Sequence, residues 1–267
     1  MEIAATKSLS ELQTAQFDLE YVTDELWQSL RPALAPYLGQ SSRFLDIGGG
    51  NGMFVDRVTN AFAQSSGVNV EPAANLVASN RLHSRKSLVN ATFQDAEFPA
   101  DEKFDVIFFN WVLHHFVVDG YAATIACQKA ALRKACSLLK PNGAVFVLEN
   151  LYEGRTVDNL PSRLIYGLTS SNLLKSVTSR MGANTAGTGV CFHSKDAWYR
   201  ILGDAGYRVR CFHSCYSYGE LSPLRQWALH LRDTRVGLMV ASPQQVSSGR
   251  NATTPYNSLT TGVSRNG

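Results

Sequence analysis

Two groups of residues in this 267-residue chain have types and spacings that could do chemistry. The first is Leu45-Asp46-Ile47-Gly48-Gly49-Gly50-Asn51-Gly52, an apolar run passing into glycines that let a ligand come close to the backbone. Doubly wound sheets bind nucleotides at such a strand-to-helix turn. Glu71 ends a second apolar run and Asp95 a third. A carboxylate at Glu71 can accept hydrogen bonds from two ribose hydroxyls, and three acids near the strand ends suit a positively charged ligand better than a phosphorylated one. Met53 occupies the third glycine position of the dinucleotide fingerprint, so that pattern is incomplete. The second group is Trp111-Val112-Leu113-His114-His115-Phe116, directly after a fourth run. An imidazole there can draw a proton from a hydroxyl as its oxygen attacks. Glu149 brings a carboxylate to the same edge from a fifth run.

Positioning these groups takes alternating strands and helices. Strands are expected at 43–47, 67–71, 87–95, 104–110 and 144–150, with helical spacing between them at Phe54, Val55, Val58 and Phe62 and again at Ile125, Leu132, Cys136 and Leu139. Such alternation implies a parallel sheet covered on both faces. Further on, a helix is expected at 194–204 and strands at 207–215 and 236–241, the last antiparallel, with a short helix at 224–231. The fold class is therefore α/β, a doubly wound, mostly parallel, seven-stranded sheet. Residues 1–42 read as a helical cap, with a capping box at Ser8-Leu9-Ser10-Glu11 and apolar residues at helical spacing as far as Pro32. The body spans 43–242, interrupted at 151–190 by a lid insertion with a helix near 164–181, and a Ser/Thr-rich tail fills 243–267. Tyr21 and Trp27 of the cap, with Tyr152 and Tyr166 of the lid, are candidates to wall an apolar pocket. The lid's Arg155, Arg163, Lys175 and Arg180 outnumber Glu153 and Asp158 and are candidates to meet an acidic substrate.

Composition narrows the function. With 45% hydrophobic and 18% charged residues the chain is neither disordered nor fibrous. A net charge of +3 is too small for a phosphate-backbone footprint, so nucleic acid is not an expected partner. No apolar stretch reaches the ~18 residues that span a bilayer, and no basic-then-apolar start is present, so a cytoplasmic protein without a membrane partner is expected. Five cysteines, an odd number, are read as reduced thiols. Cys211, His213 and Cys215 share one strand face and Cys191-Phe192-His193 lies near the lid, but neither spacing fits a common zinc pattern, and no metal is assigned.

In this order, the motifs resemble those of the class I S-adenosylmethionine-dependent methyltransferases over residues 43–150, more weakly to 242. The segment from Asp46 through Gly48, Gly50, Asn51 and Gly52 resembles that family's first motif, Glu71-Pro72 its ribose-binding acid, and Asp95-Ala96 its adenine-contacting position. Phe104–Asn110 resembles its fourth strand, which brings Asn110 and Trp111 to the cofactor edge, and Leu138-Leu139-Lys140-Pro141-Asn142-Gly143 the turn before its fifth. The resemblance implies a Rossmann-like methyltransferase fold with S-adenosyl-L-methionine as cofactor. Trp111-Val112-Leu113-His114 is similar to the Trp-x-Leu-His stretch of phenolic O-methyltransferases, which implies that His114 deprotonates an acceptor hydroxyl and that Glu149 orients it. The departures are His115 in place of an acid, Phe116 in place of a second tryptophan, and no counterpart of those enzymes' large N-terminal dimerisation domain. The resulting expectation is methyl transfer to a hydroxyl of a small metabolite or natural product. N- or C-methylation, a non-catalytic scaffold and a nicotinamide dehydrogenase are the alternatives. The oligomeric state is left open, a homodimer being one option.

Overall fold

The computed structural model describes residues 6–7, 20–171, 187–219 and 221–244. Helix α1 (Asp24–Leu34) precedes strand β1 (Arg43–Ile47), helix α2 (Met53–Ala61), strand β2 (Ser66–Val70), helix α3 (Ala74–Ala78), strand β3 (Lys86–Val89) and strand β4 (Phe104–Asn110). A 3-10 turn at Leu113–His115 leads into helix α4 (Tyr121–Leu138), strand β5 (Leu139–Gly154) and helix α5 (Leu160–Ser170). Helix α6 (Lys195–Asp204), strand β6 (Tyr207–Ser217), helix α7 (Pro223–Ala228) and strand β7 (Leu231–Pro243) follow. The seven strands form one sheet in the order β3-β2-β1-β4-β5-β7-β6, with β7 antiparallel to both neighbours and the other pairs parallel. The expected fold class is the observed one.

Strand alternation explains the layers. Ile107 and Phe109 of β4 pack with Leu132 and Ala135 of α4 and Trp198 and Ile201 of α6, whereas Val106 and Phe108 pack with Leu26 and Leu30 of α1 and Phe54 and Val58 of α2. Both faces are covered, so the central strands are apolar almost throughout, as buried parallel strands must be. No helix among the described residues is long and apolar enough to cross a membrane.

Several boundaries differ from the sequence expectation. Helix α1 of the expected cap begins at Asp24, capped by the Thr23 hydroxyl, and runs through Pro32 to Leu34; the capping box at 8–11 lies outside the described residues. Strand β3 stops at Val89, so Asp95 does not end a strand but sits in a turn. Strand β5 continues past Asn150 to Gly154, because its antiparallel ladder with β7 carries on through Leu151, Tyr152 and Glu153. The first lid residues are therefore sheet. The lid helix spans Leu160–Ser170; its expected continuation to 181 and the tail from 245 onward lie outside the described residues.

Candidate active site

Parallel order puts the C-terminal ends of β1, β2 and β4 on one edge of the sheet, with β4 pairing β5 as far as Asn110 and Leu148. The chain winds outward from β1 to β3 and then returns to β4. That reversal opens a crevice between β1 and β4, where such sheets bind ligands. A cavity of about 570 Å³ occupies it. Asp46, Gly48, Gly50, Asn51, Glu71, Pro72, Asn110, Trp111 and His114 all line it, nine of the residues singled out by sequence.

The glycine loop is shaped by close approach. Gly48 has φ +67°, and a Cβ there would fall 2.5 Å from a Val112 methyl; Gly52 has φ +73°, and a Cβ there would meet Asn80 Oδ1 at 1.9 Å. Gly52 is not among the described residues that line the cavity, and the first helical amide after it, on Met53, donates to Asn51 Oδ1. Glu71 accepts from the Ala73 N–H at 2.8 Å and the Gly50 N–H at 3.1 Å, which locks its carboxylate at the cavity wall. Burial pushes its pKa upward against those two bonds. Asp46 is more extreme: burial and then the nearby Glu71 charge raise it to about 8, although Asn110 donates to its Oδ1. Asp46 Oδ2 and Asn110 Oδ1 are buried without hydrogen-bond partners, which leaves two unmatched acceptors at this end of the site.

Asp95 and Ala96 do not reach the cavity. Asp95 accepts from the Thr92 hydroxyl at 2.6 Å in the turn after β3, and Thr92, Phe93 and Gln94 form the wall in its place. The early end of β3 causes this shift, and no local pattern in the sequence marks it.

His114 and Glu149, 35 positions apart, are brought into contact. Glu149 is fully buried at the end of the β4–β5 pairing, and its Oε2 lies 2.7 Å from His114 Nδ1. Its other oxygen accepts the His114 backbone N–H at 3.3 Å. Donation by Nδ1–H leaves Nε2 as the acceptor of the ring, on a residue that lines the cavity. Beside it, burial and then the His114 ring hold His115 well below the usual imidazole pKa. Trp111 adopts φ +50°, an uncommon conformation for a bulky residue, held by its N–H to the Leu148 carbonyl and its indole N–H to Asn150 Oδ1.

Other candidates fall elsewhere. Tyr21 lines the cavity against Trp111, but Trp27 packs on Phe54, and Tyr166 bonds to the Val118 carbonyl and Gly120 N–H beneath the lid. Tyr152 stacks on Phe192, and Tyr216 and Tyr218 line the cavity unforeseen. The lid charges serve the fold: Arg155 bonds to the Leu231 carbonyl, Arg163 covers the Tyr121 ring, Glu153 pairs with Arg235 and Asp158 with Arg200. Lys175 and Arg180 lie outside the described residues. Cys191 and His193 join a buried network with Gln128 and Ser162, in which burial raises the thiol to about 12 and lowers the imidazole to about 3.

Fold and site together define a doubly wound domain with a cavity at its switch point. Residues 19–211 match the family model of the methyltransferase domain, so the chain belongs to that family, the class I S-adenosylmethionine-dependent methyltransferases. Comparison with curated proteins gives no match. Among solved structures, a chain of the complex between the Haloferax volcanii Trm112 methyltransferase activator and a methyltransferase is similar at 16% identity and TM-score 0.57, over 88% of this chain and all of that one. A Leishmania major S-adenosylmethionine-dependent methyltransferase is similar at 15% identity and TM-score 0.55, over 85% of this chain and 76% of its own. An O-methyltransferase from neocarzinostatin biosynthesis, in complex with S-adenosylmethionine and 2-hydroxy-5-methyl naphthoic acid, is similar at 15% identity and TM-score 0.52. That match covers 87% of this chain, which spans 56% of the length of the O-methyltransferase.

Proposed function

We propose that the protein transfers the methyl group of S-adenosylmethionine to a hydroxyl oxygen of a small-molecule acceptor, with His114 as the base and Glu149 as its orienting carboxylate. The observation that carries this reading is the 2.7 Å contact between His114 Nδ1 and a fully buried Glu149 at the wall of the cavity.

The residues present fit the cofactor. Its ammonium group would supply the donors that Asp46 Oδ2 and Asn110 Oδ1 lack, and a positive charge would draw Asp46 into its ionised form. Glu71, held by two backbone N–H groups, keeps lone pairs for the ribose hydroxyls. The glycine loop gives the ligand access to the backbone, Trp111 and Asn110 close the strand-four side, and Phe93 and Gln94 are offered for the base in place of Asp95 and Ala96. When bound, the sulfonium supplies an already activated methyl carbon, whose bond to sulfur breaks with the electron pair left on sulfur. His114 Nε2 takes the hydroxyl proton as the oxygen attacks, and Glu149 stabilises the imidazolium that results. The ring flips to no other partner, since Nδ1 stays engaged. Tyr21, Trp111 and Tyr218 give the cavity aromatic walls suited to an apolar acceptor.

Incubation with a methyl-labelled cofactor and a metabolite extract, with identification of the labelled product, tests the reading. A methoxy product supports it. Transfer only to nitrogen or carbon contradicts the hydroxyl assignment, and cofactor binding with no transfer to any acceptor contradicts the enzymatic one.

A further inference from the structure

The hydrogen bond to Glu149 holds one edge of the His114 ring, and neighbouring rings flank its plane. The bond from Nδ1 to Glu149 opposes rotation about the terminal torsion, which is otherwise broad in a histidine, but a single point of contact leaves the imidazole plane room to tilt. Two rings pack on the imidazole: His115 from its own turn, with centroids 4.1 Å apart and 42° between planes, and Phe192 from a distant segment, at 4.5 Å and 31°, both tilted contacts. Phe192 is itself backed by Tyr152, stacked at 4.6 Å and 24°, and Tyr152 by Tyr218 edge-on at 6.0 Å.

The backbone that carries Phe192 is tied on both sides. The Cys191 N–H donates to the His114 carbonyl at 2.9 Å, and the His193 carbonyl accepts from the Tyr152 N–H at 3.1 Å, next to a parallel bridge between Leu151 and His193. Gln128 donates to both the Leu113 and the Cys191 carbonyls, at 3.0 and 3.2 Å, which joins the 3-10 turn to the same segment from below. The segment 191–193 is thereby held in register with His114. Phe192 is not among the described residues that line the cavity.

We propose that Phe192 is a positioning residue for the base, limiting the tilt of the imidazole plane from the segment 191–193 while Glu149 holds Nδ1. This rests on His114 acting as the base. A misplacement of about 1 Å at a reacting group can cost ~10²-fold in rate, so loss of this contact is expected to reach the rate of transfer and not the binding of the acceptor.

The test uses the full chain with 15N-labelled imidazoles and four variants, Phe192→Leu, Phe192→Tyr, His114→Ala and the Phe192→Leu/His114→Ala double. In the wild type the His114 nitrogens should report a single Nδ1–H tautomer. Phe192→Leu should average those signals and lower kcat about ten- to hundredfold with KM unchanged, Phe192→Tyr should restore both, and in the His114→Ala background the leucine should cost nothing more. Unaltered His114 signals in Phe192→Leu, or a loss that persists undiminished without His114, overturns the proposal alone. An unchanged kcat in His114→Ala overturns the base assignment beneath it.

Discussion

Two buried histidines meet at the segment 191–193, His114 bonded to it and His193 within it, and their surroundings differ. His114 has the Glu149 carboxyl group at 2.7 Å and a cavity beside it, the surroundings that the proposed base requires. His193 is fully buried among the Gln128 amide, the Asn159 amide, the Ser162 hydroxyl and the Cys191 thiol, all neutral, and burial drives its pKa down to about 3. That ring ties α4, the lid helix and the segment 191–193 together and takes no proton at neutral pH. The residue type decides little here; the charge of the partner and the access to solvent or substrate decide the role. The same holds for the acids: Glu71 is anchored by backbone N–H groups, whereas Asp46 keeps an unmatched oxygen and is pushed to about 8.

Breaking the first contact should have the largest effect. Glu149→Gln keeps the size of the side chain, but its amide can donate to Nδ1 and thereby favour the tautomer that carries the proton on Nε2. Steady-state kinetics should show kcat falling by at least ~10²-fold, within the range of a lost general base, at unchanged cofactor affinity. A smaller effect, on binding alone, is expected at the other end of the cavity. Glu71→Ala removes a charged acceptor worth ~1.5 to 3 kcal/mol, so titration calorimetry should find the cofactor Kd weakened by about ten- to hundredfold.

His193→Gln sharpens the contrast through stability. The native pKa lies below the unfolded one, so between roughly pH 6.5 and 3 the unfolded chain binds the extra proton and stability falls as pH falls through that window. Denaturant unfolding should show the wild type losing on the order of 3 kcal/mol more than the variant between pH 7 and pH 4. Asp46 works in the opposite sense: its native pKa is raised, so its contribution is present at low pH and is lost between the ordinary carboxylate range and about 8. The smallest signal follows from that group. Cofactor binding at pH 7 should release about one proton as Asp46 ionises, read as a buffer-dependent binding enthalpy that Asp46→Asn abolishes.

Much of the cofactor side was legible in the sequence because it is local. Asp46 through Gly52 is a continuous segment whose glycines answer to one turn, and Glu71 follows its strand directly. Helix–strand alternation likewise foretold the sheet, including an antiparallel last strand, since each element must hide its own apolar face. The acceptor side was legible only in pieces. His114 and Glu149 could be placed at one edge, but their contact depends on the register of β4 against β5, which no single segment contains. Phe192 read as part of a Cys-Phe-His triplet near the expected lid; its place over His114 comes from the way residues 191–193 bond to the 3-10 turn, which ends 77 positions before Phe192, and to β5, which ends 38 positions before it. Asp95 was misplaced for a related reason, because β3 ends where its pairing with β2 ends, at Val89, and not where the apolar run does.

The most direct test of the account compares the two histidines in one measurement, the single-turnover rate of methyl transfer at saturating cofactor for His114→Ala and His193→Gln. The account predicts a fall of ~10² to 10⁴-fold for the first and less than a few-fold for the second. Equal losses in the two variants, or a His114→Ala rate within a few-fold of wild type, would contradict it.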